Sequence, residues 1–271
     1  LFQYIYQQYS ILFPTGYVLD FEIIFIFSFY NINILNIFYL PDNISKILSK
    51  VIHDHLTNTW RYKKEPAGTG ADLTGIAVLT RADIDNKCGT NRRNYAHYVF
   101  TNPRYIMNSP EELNHAVSVD ALCHGIEAYL SRDSRDDYMT NMISEAAFKQ
   151  FGLFKDRLLT NTITEDDYTR QALHSMLQGI VIINEVTGVP HGLGYPLSHH
   201  YHVPHGLACG VFEGEYLREF NDPDSKARVD KVVKLAGFEN IDEFCAYIQD
   251  VIAPHIHIQV TLKELSRIFL S

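Results

Sequence analysis

Residues Val119 to Leu130 read VDALCHGIEAYL, and the reading of this stretch decides the fold. Asp120 and His124 are four residues apart, so on a helix they stand one above the other on a single face. Just upstream, Ser109-Pro110-Glu111-Glu112 has the S-x-x-E form of a capping box with proline at the first helical position, which predicts a helix start there. From that cap the inward stripe reads Leu113, Ala116/Val117, Asp120, His124 and Glu127/Ala128. A carboxylate and an imidazole therefore occupy places where an amphipathic helix would carry leucine or alanine. A buried carboxylate is costly unless a cation or several donors satisfy it. On this segment alone, a plain Asp–His hydrogen bond at a helix interface accounts for the pair as well as a metal does.

A second cluster, His191 to Gly206, holds five of the thirteen histidines of the chain. Two of them, His191 and His205, each precede a glycine. An Asp-x3-His pair with two distant histidines offers one oxygen and three nitrogens, a set that suits ferrous iron or zinc with positions left open for substrate. Calcium or magnesium would ask for more oxygen ligands. The competing reading, a flexible histidine-rich loop at the surface, fits poorly with the glycine and proline punctuation and the apolar flanks Val189, Leu193, Leu197, Val203 and Leu207.

At these residues the chain resembles the iron-containing (group III) alcohol dehydrogenases. Asp120-Ala121-Leu122-Cys123-His124-Gly125-Ile126-Glu127-Ala128-Tyr129 is similar to that family's D-A-x-x-H-x-x-E-x-Y helix. His191 to Gly206 reproduces its second hallmark, and Ala67-Gly68-Thr69-Gly70-Ala71-Asp72 its A-G-T-G motif. The resemblance runs from about residue 66 to 265. It implies Asp120, His124, His191 and His205 as metal ligands, for Fe2+ or Zn2+, and Gly68, Thr69 and Lys87 as contacts to NAD(P). Many family members carry a further histidine four residues after the third ligand. Tyr195 stands there in this chain, as a neighbour of the ligands.

The implied activity is metal-dependent, NAD(P)-linked alcohol oxidation or aldehyde reduction. Hydride passes to nicotinamide from an alcohol whose oxygen a divalent ion has made easier to deprotonate. Two other readings stay open: a catalytically inactive remnant that still binds metal, and a metal-dependent lyase of the dehydroquinate-synthase-like fold.

The 271 residues are 46% hydrophobic and carry a net charge of -9. That is enough for a core, and the acidic balance speaks against nucleic acid as a partner. The expected partner is a small alcohol or aldehyde, with room for a homo-oligomer. Cys88, Cys123, Cys209 and Cys245 form no C-x-x-C, which suits reduced thiols in a cytoplasmic protein and demands no function of any of them.

Residues 1–66 differ from the rest. They have no alanine, one glycine (Gly16) and no lysine or arginine before Lys46, and are rich in Phe, Ile, Tyr and Asn. Asp20, Glu22, Asn31, Asn33 and Asn36 interrupt the apolar run, which argues against a membrane span. A signal peptide would want a basic start and a small-residue cleavage site. The resembled family binds the cofactor diphosphate at a glycine-rich turn. None stands before Gly68, so the expectation is a truncated or replaced cofactor domain, with residues 1–50 poorly packed and little or no turnover by the chain as given.

The fold expected is mainly α. Residues 1–66 form an atypical segment, 67–108 a short α/β remnant of the nucleotide-binding domain, and 109–271 a helical metal-binding domain that stops in mid-pattern. Ile76 to Thr80 reads as a buried strand and Asp83 to Lys87 as a turn. Three inward stripes are expected: Met139, Met142/Ile143, Ala146 and Phe148; Ala172, Met176, Ile180 and Ile183; and Ala208, Val211/Phe212 and Tyr216; a closing helix is expected to be capped by Thr261 with Glu264. His174, His255 and His257 have no partner at ligand spacing and read as surface or satisfied core residues.

Overall fold

The computed structural model describes residues 23–25, 36–39, 68–81, 86–91 and 98–258. Every described strand ends by Thr101, and all seven α-helices among the described residues follow it. The mainly helical fold expected from the sequence is the fold observed. Strands β1 (Ile23–Phe25) and β2 (Asn36–Tyr39) pair antiparallel, and β2 runs parallel to β5 (Tyr98–Thr101). Strands β3 (Ile76–Arg81) and β4 (Asn86–Asn91) form a separate antiparallel ribbon. Of residues 1–50 only 23–25 and 36–39 are described, and there β2 pairs with β5; the expected poor packing of the others and the closing helix at Thr261 lie outside the described residues.

Two details of the strand region differ from expectation. Lys87 belongs to β4, opposite Thr80, rather than to a polar turn. β3 is not buried: a two-stranded ribbon leaves a face open, and Val78 is exposed on it.

Helix α1 (Glu111–Leu130) is the axis of the domain, and every residue from Asn114 to Leu130 is buried. The expected single inward stripe is therefore too narrow. A helix covered on all sides belongs to the centre of a bundle, and α1 meets α2 (Tyr138–Leu159), α3 (Glu165–Asn184), α4 (Val189–Tyr201), α5 (His205–Arg218), α6 (Pro223–Leu235) and α7 (Ile241–Ile252). Its core neighbours include Phe148, Phe151, Leu207, Phe244 and Val251. The capping box does not form. Pro110, with ψ 150, is itself the N-cap, so Ser109 sits one residue too early, and its buried hydroxyl finds no partner.

The faces of other helices are rotated from their expected stripes. On α2 the inward residues are Thr140, Ser144, Ala147, Phe148, Phe151, Phe154 and Leu158, while Met139 and Met142 are exposed. On α3, Met176 and Ile180 are buried as expected, whereas Ala172 and Ile183 are half-buried. On α5, Ala208 is buried, but Val211 is exposed and the rest of the buried face is Gly206, Leu207, Cys209, Gly210, Glu213 and Leu217. In each case polar residues share the inner face, so apolar spacing alone points the helix wrongly.

The A-G-T-G motif joins strand region and bundle. Gly70 has φ +85, and a Cβ there would lie 2.0 Å from Ser175 O and 2.7 Å from Gly179 N. Glycine on glycine lets the turn lie directly on α3. This motif is thus a packing device as well as a turn.

Helix α3 begins with a capping box in which Thr164 and Asp167 bond each other's main-chain N–H. The buried Asp167 also takes both Arg157 Nε, at 2.6 Å, and Arg157 Nη2. These donors hold its carboxyl at about 2 against an ordinary 3.8. A depressed carboxylate pKa contributes stability above pH ~4 that is lost as the pH falls through about 2. Asp167→Asn is expected to lower stability at neutral pH by roughly 1–2 kcal/mol and to flatten the acid limb of a melting-temperature series. An acid limb identical to that of the unaltered chain would show that Asp167 does not carry it.

Candidate metal centre

Asp120 and His124 project from the middle of α1. His191 comes from the first turn of α4, which Pro190 helps to start, and His205 from the first residue of α5. The structure gathers the three histidines around Asp120, but the set whose ligand atoms all lie within 4.8 Å of one another is Asp120, His191, His205 and Cys209, while His124 approaches only the far oxygen of Asp120 and the His191 ring. His191 Nε2 lies 3.6 Å and His205 Nε2 3.9 Å from Asp120 Oδ1, and His124 Nε2 lies 3.9 Å from Asp120 Oδ2. The His124 and His191 rings stack with centroids 4.7 Å apart, and His205 meets His191 edge-on at 5.3 Å. Asp120, His124 and His191 are buried, and His205 is partly exposed.

Close approach of the helices is a condition of this geometry. A Cβ on Gly206 would lie 2.0 Å from Ala116 O and 2.6 Å from Asp120 Cβ. The glycine after His205 therefore lets α5 sit directly on α1.

Glu127, one turn beyond His124, lies on the same face of α1. It is fully buried and accepts from His191 Nδ1 at 2.5 Å and from Gly188 N at 2.5 Å. With Nδ1–H donating to Glu127, His191 Nε2 carries a lone pair aimed at Asp120 Oδ1. Both of these buried atoms lack a hydrogen-bond partner. Two acceptors facing each other at 3.6 Å call for a cation or a proton between them. The carboxylates and Cys209 around His191 outweigh burial and hold its pKa well above the ordinary value, so a proton there satisfies one contact. It does not account for two further imidazoles, His124 and His205, placed within 4 Å of the same carboxylate. The donor set fits a divalent ion better.

The charges agree. Burial alone would raise the Asp120 carboxyl, but His124, His191 and His205 hold it below the carboxylate range. Burial pushes His205 down to about 4 and lowers His124, so both imidazoles are neutral at neutral pH. Tyr195 stacks on His205 with rings 3° from parallel and 5.1 Å apart. Burial raises its hydroxyl, which stays protonated.

Two of the residues expected at the cofactor, Thr69 and Lys87, lie beside the centre. The Thr69 main chain faces the His124 ring, and Thr69 Oγ1 accepts from Ala71 N at 3.4 Å. Gly68 has open space around its Cα. Lys87 Nζ donates to Ser198 Oγ at 2.9 Å, half-buried and within electrostatic reach of Asp120 and Cys209.

Three residues without an assigned role from sequence belong to the site or its rim. Glu127 was legible, being three residues after His124 on the same helical face. Cys209 shares a ligand-sized cluster with Asp120, His191 and His205, and burial raises its thiol to about 12. Its i,i+4 spacing from His205 was the available signal. Glu213 is fully buried beside Glu127 and Cys123, and burial, with the neighbouring Glu127 charge, raises its carboxyl well above the ordinary value. Of the other histidines, His174 lies in the core and His257 at the surface, as expected, and only His255 differs. His255 has a partner, His115 Nδ1 at 2.8 Å, because the chain after α7 folds back to the start of α1. His174 is a core residue bonded to Ala147 O at 2.9 Å.

Residues 115–265 match the Fe-containing alcohol dehydrogenase family, C-terminal part. The chain is 30% identical over 187 residues to 4-hydroxybutyrate dehydrogenase of Clostridium kluyveri, covering 66% of this chain and 49% of that one. It is 26% identical to 1-propanol dehydrogenase PduQ of Salmonella typhimurium, covering 64% and 46%. The chain spans about half the length of the curated relatives it matches. Among solved structures, an iron-containing alcohol dehydrogenase from Thermotoga maritima superposes with TM-score 0.62 at 27% identity, over 74% of this chain and 53% of that one. Sulfoacetaldehyde reductase from Bifidobacterium kashiwanohense, in complex with NAD+, shares the fold with TM-score 0.62 at 21% identity, over 75% and 56%.

Proposed function

The chain belongs to the Fe-containing alcohol dehydrogenase family, and on that premise we propose that it carries the metal-binding half of an NAD(P)-linked alcohol dehydrogenase acting on a small alcohol or aldehyde. Residues 109–271 are the metal-binding domain, and 67–108 belong to the nucleotide-binding side. Asp120, His124, His191 and His205 hold one ferrous or zinc ion, and Gly68, Thr69 and Lys87 face NAD(P). The observation that carries this reading is the unpaired set of buried acceptors converging on Asp120.

An ion bound there supplies Lewis acidity that lowers the pKa of an alcohol hydroxyl. The chain does the rest. With an ion in place of the His191 proton, three imidazoles and one carboxylate would leave a net positive centre. Glu127 fixes the His191 tautomer, Tyr195 holds the His205 ring plane, and α1, α4 and α5 exclude water from the inner side. Lys87 presents a cation on the strand side, where an anionic dinucleotide would approach. The named relatives act on small alcohols, one neighbour binds NAD+, and neither fact favours the lyase alternative.

One observation favours a second reading for this chain by itself, metal binding without turnover. No glycine-rich turn precedes Gly68, and a diphosphate needs such main-chain N–H groups. Positioning of both reactants contributes roughly 7–11 kcal/mol in such a step. The test pairs an iron or zinc titration with NADH fluorescence and an NAD(P)-linked assay on several alcohols and aldehydes. His191→Ala is expected to weaken the tightest ion at least about tenfold, and the unaltered chain to turn over little. Unchanged ion affinity in His191→Ala would remove the metal centre. Tight NADH binding with ordinary dehydrogenase rates would remove the second reading and leave the first.

A further inference from the structure

Helix α1 carries a second carboxylate-x3-histidine pair, Glu111 and His115, at its N-terminal end. Glu111 precedes Asp120 by nine residues. At 100° and 1.5 Å per residue that is about 2.5 turns and ~13.5 Å. The two pairs therefore point to opposite sides of the helix, well apart along it. The Glu111–His115 pair has its own third group. The chain after α7 brings His255 back to it, and one ligand atom from each of Glu111, His115 and His255 lies within 4.8 Å of the others.

We propose that Glu111, His115 and His255 form a second divalent-cation site, for zinc or a similar borderline ion, which clamps the segment after α7 to the start of α1. His115 is buried and preset for this. Its Nε2–H donates to Leu158 O at 2.9 Å, which leaves the Nδ1 lone pair directed at His255 Nε2, 2.8 Å away. An imidazole ligand whose other ring nitrogen donates to a main-chain carbonyl is held in the tautomer and plane a metal needs. Glu111 is oriented by Asn161 Nδ2, which donates to Oε2 at 3.2 Å and leaves Oε1 available.

Two nitrogens and one carboxylate oxygen, with water as a fourth ligand, match zinc. Nickel and copper(II), which also take imidazole ligands, would compete for the same donors. At tetrahedral zinc with bonds of ~2.1 Å, two ligand nitrogens sit about 3.4 Å apart. His255 must therefore move out by roughly half an ångström, and it is half-buried in a turn just past a helix end, free to do so. The Glu112 carboxylate also faces His255 and adds negative charge around the ion. Without a cation, the same pair makes a single His–His hydrogen bond. That contact needs no acid, and the first-turn position that suits Glu111 and Glu112 at a helix N-terminus does not by itself bring a carboxylate oxygen within 4.8 Å of both imidazoles.

The experiment uses full-length chain stripped with a chelator and titrated with Zn2+ against a chromophoric competitor. His191→Ala serves as the background, so that the centre at Asp120 does not mask the result. His191→Ala is expected to keep one zinc ion, and zinc is expected to raise its melting temperature by several degrees. Adding His255→Ala or Glu111→Gln should weaken that ion at least about tenfold and abolish the shift. Both residues lie at or near the surface, so folding can be verified by circular dichroism, and His255→Gln replaces His255→Ala if it fails. No zinc bound by His191→Ala, or zinc binding indifferent to His255 and Glu111, would overturn the proposal.

Discussion

Gly206→Ala is expected to strip the chain of most of its metal affinity while leaving every proposed ligand in place. The added methyl would lie 2.0 Å from Ala116 O and 2.6 Å from Asp120 Cβ. No rotamer relieves this, because a Cβ is fixed by the main chain, and the group it strikes is a helix carbonyl. Helix α5 must back away from α1 by about an ångström. His205, the preceding residue, moves with it, away from the carboxylate that it now faces at 3.9 Å. Ligand distances tolerate only about 0.2 Å, so affinity should fall about 10- to 100-fold. Overpacking of this kind also costs roughly 1–3 kcal/mol of stability. Gly192 supplies the control, since a Cβ there meets nothing within 4 Å. Gly192→Ala should fold and bind as the unaltered chain does. Metal titration and thermal melts of the two variants decide the matter. Gly206→Ala with unchanged affinity and melting temperature would mean that the α1–α5 contact does not set the site.

Glu127→Gln removes one charge and almost no volume, yet it should weaken metal binding about 10- to 100-fold. The carboxylate accepts on both oxygens, from His191 Nδ1 on one and from the Gly188 and His191 main-chain N–H groups on the other. An amide has one acceptor. If its NH2 faces the main chain, three buried donors compete with no acceptor. If it faces His191, the imidazole must take the other tautomer, and Nε2–H then points at the position an ion would fill. Nitrogen-15 chemical shifts of the His191 ring distinguish the two outcomes, and metal titration gives the loss. A variant that keeps Nδ1–H and full affinity would show that Glu127 does not preset His191.

Much of the candidate centre was legible before any coordinates. Asp120 and His124 follow from helical spacing, because a four-residue step on one helix is a fixed distance. Glu127 is legible by the same rule. Cys209 was discounted for want of a C-x-x-C, although its i,i+4 step from His205 places it at the same centre.

What the sequence by itself determined is therefore local: the helical class after Ser109, the carboxylate–histidine pair on α1, the two His-Gly positions, and the expected ligand set that a family pattern attaches to them. What the tertiary structure decided is everything that depends on distance between elements remote in sequence. It alone covers α1 on all sides, turns α2 and α5 away from their apolar stripes, and places Lys87 and Thr69 beside the centre. It also returns His255 to His115 across 140 residues. The physical reason is that periodicity fixes which residues share a face, whereas only packing fixes what that face meets. In this bundle the contacts that set the meeting are made by residues with almost no side chain, Gly70 on Gly179 and Gly206 on Ala116.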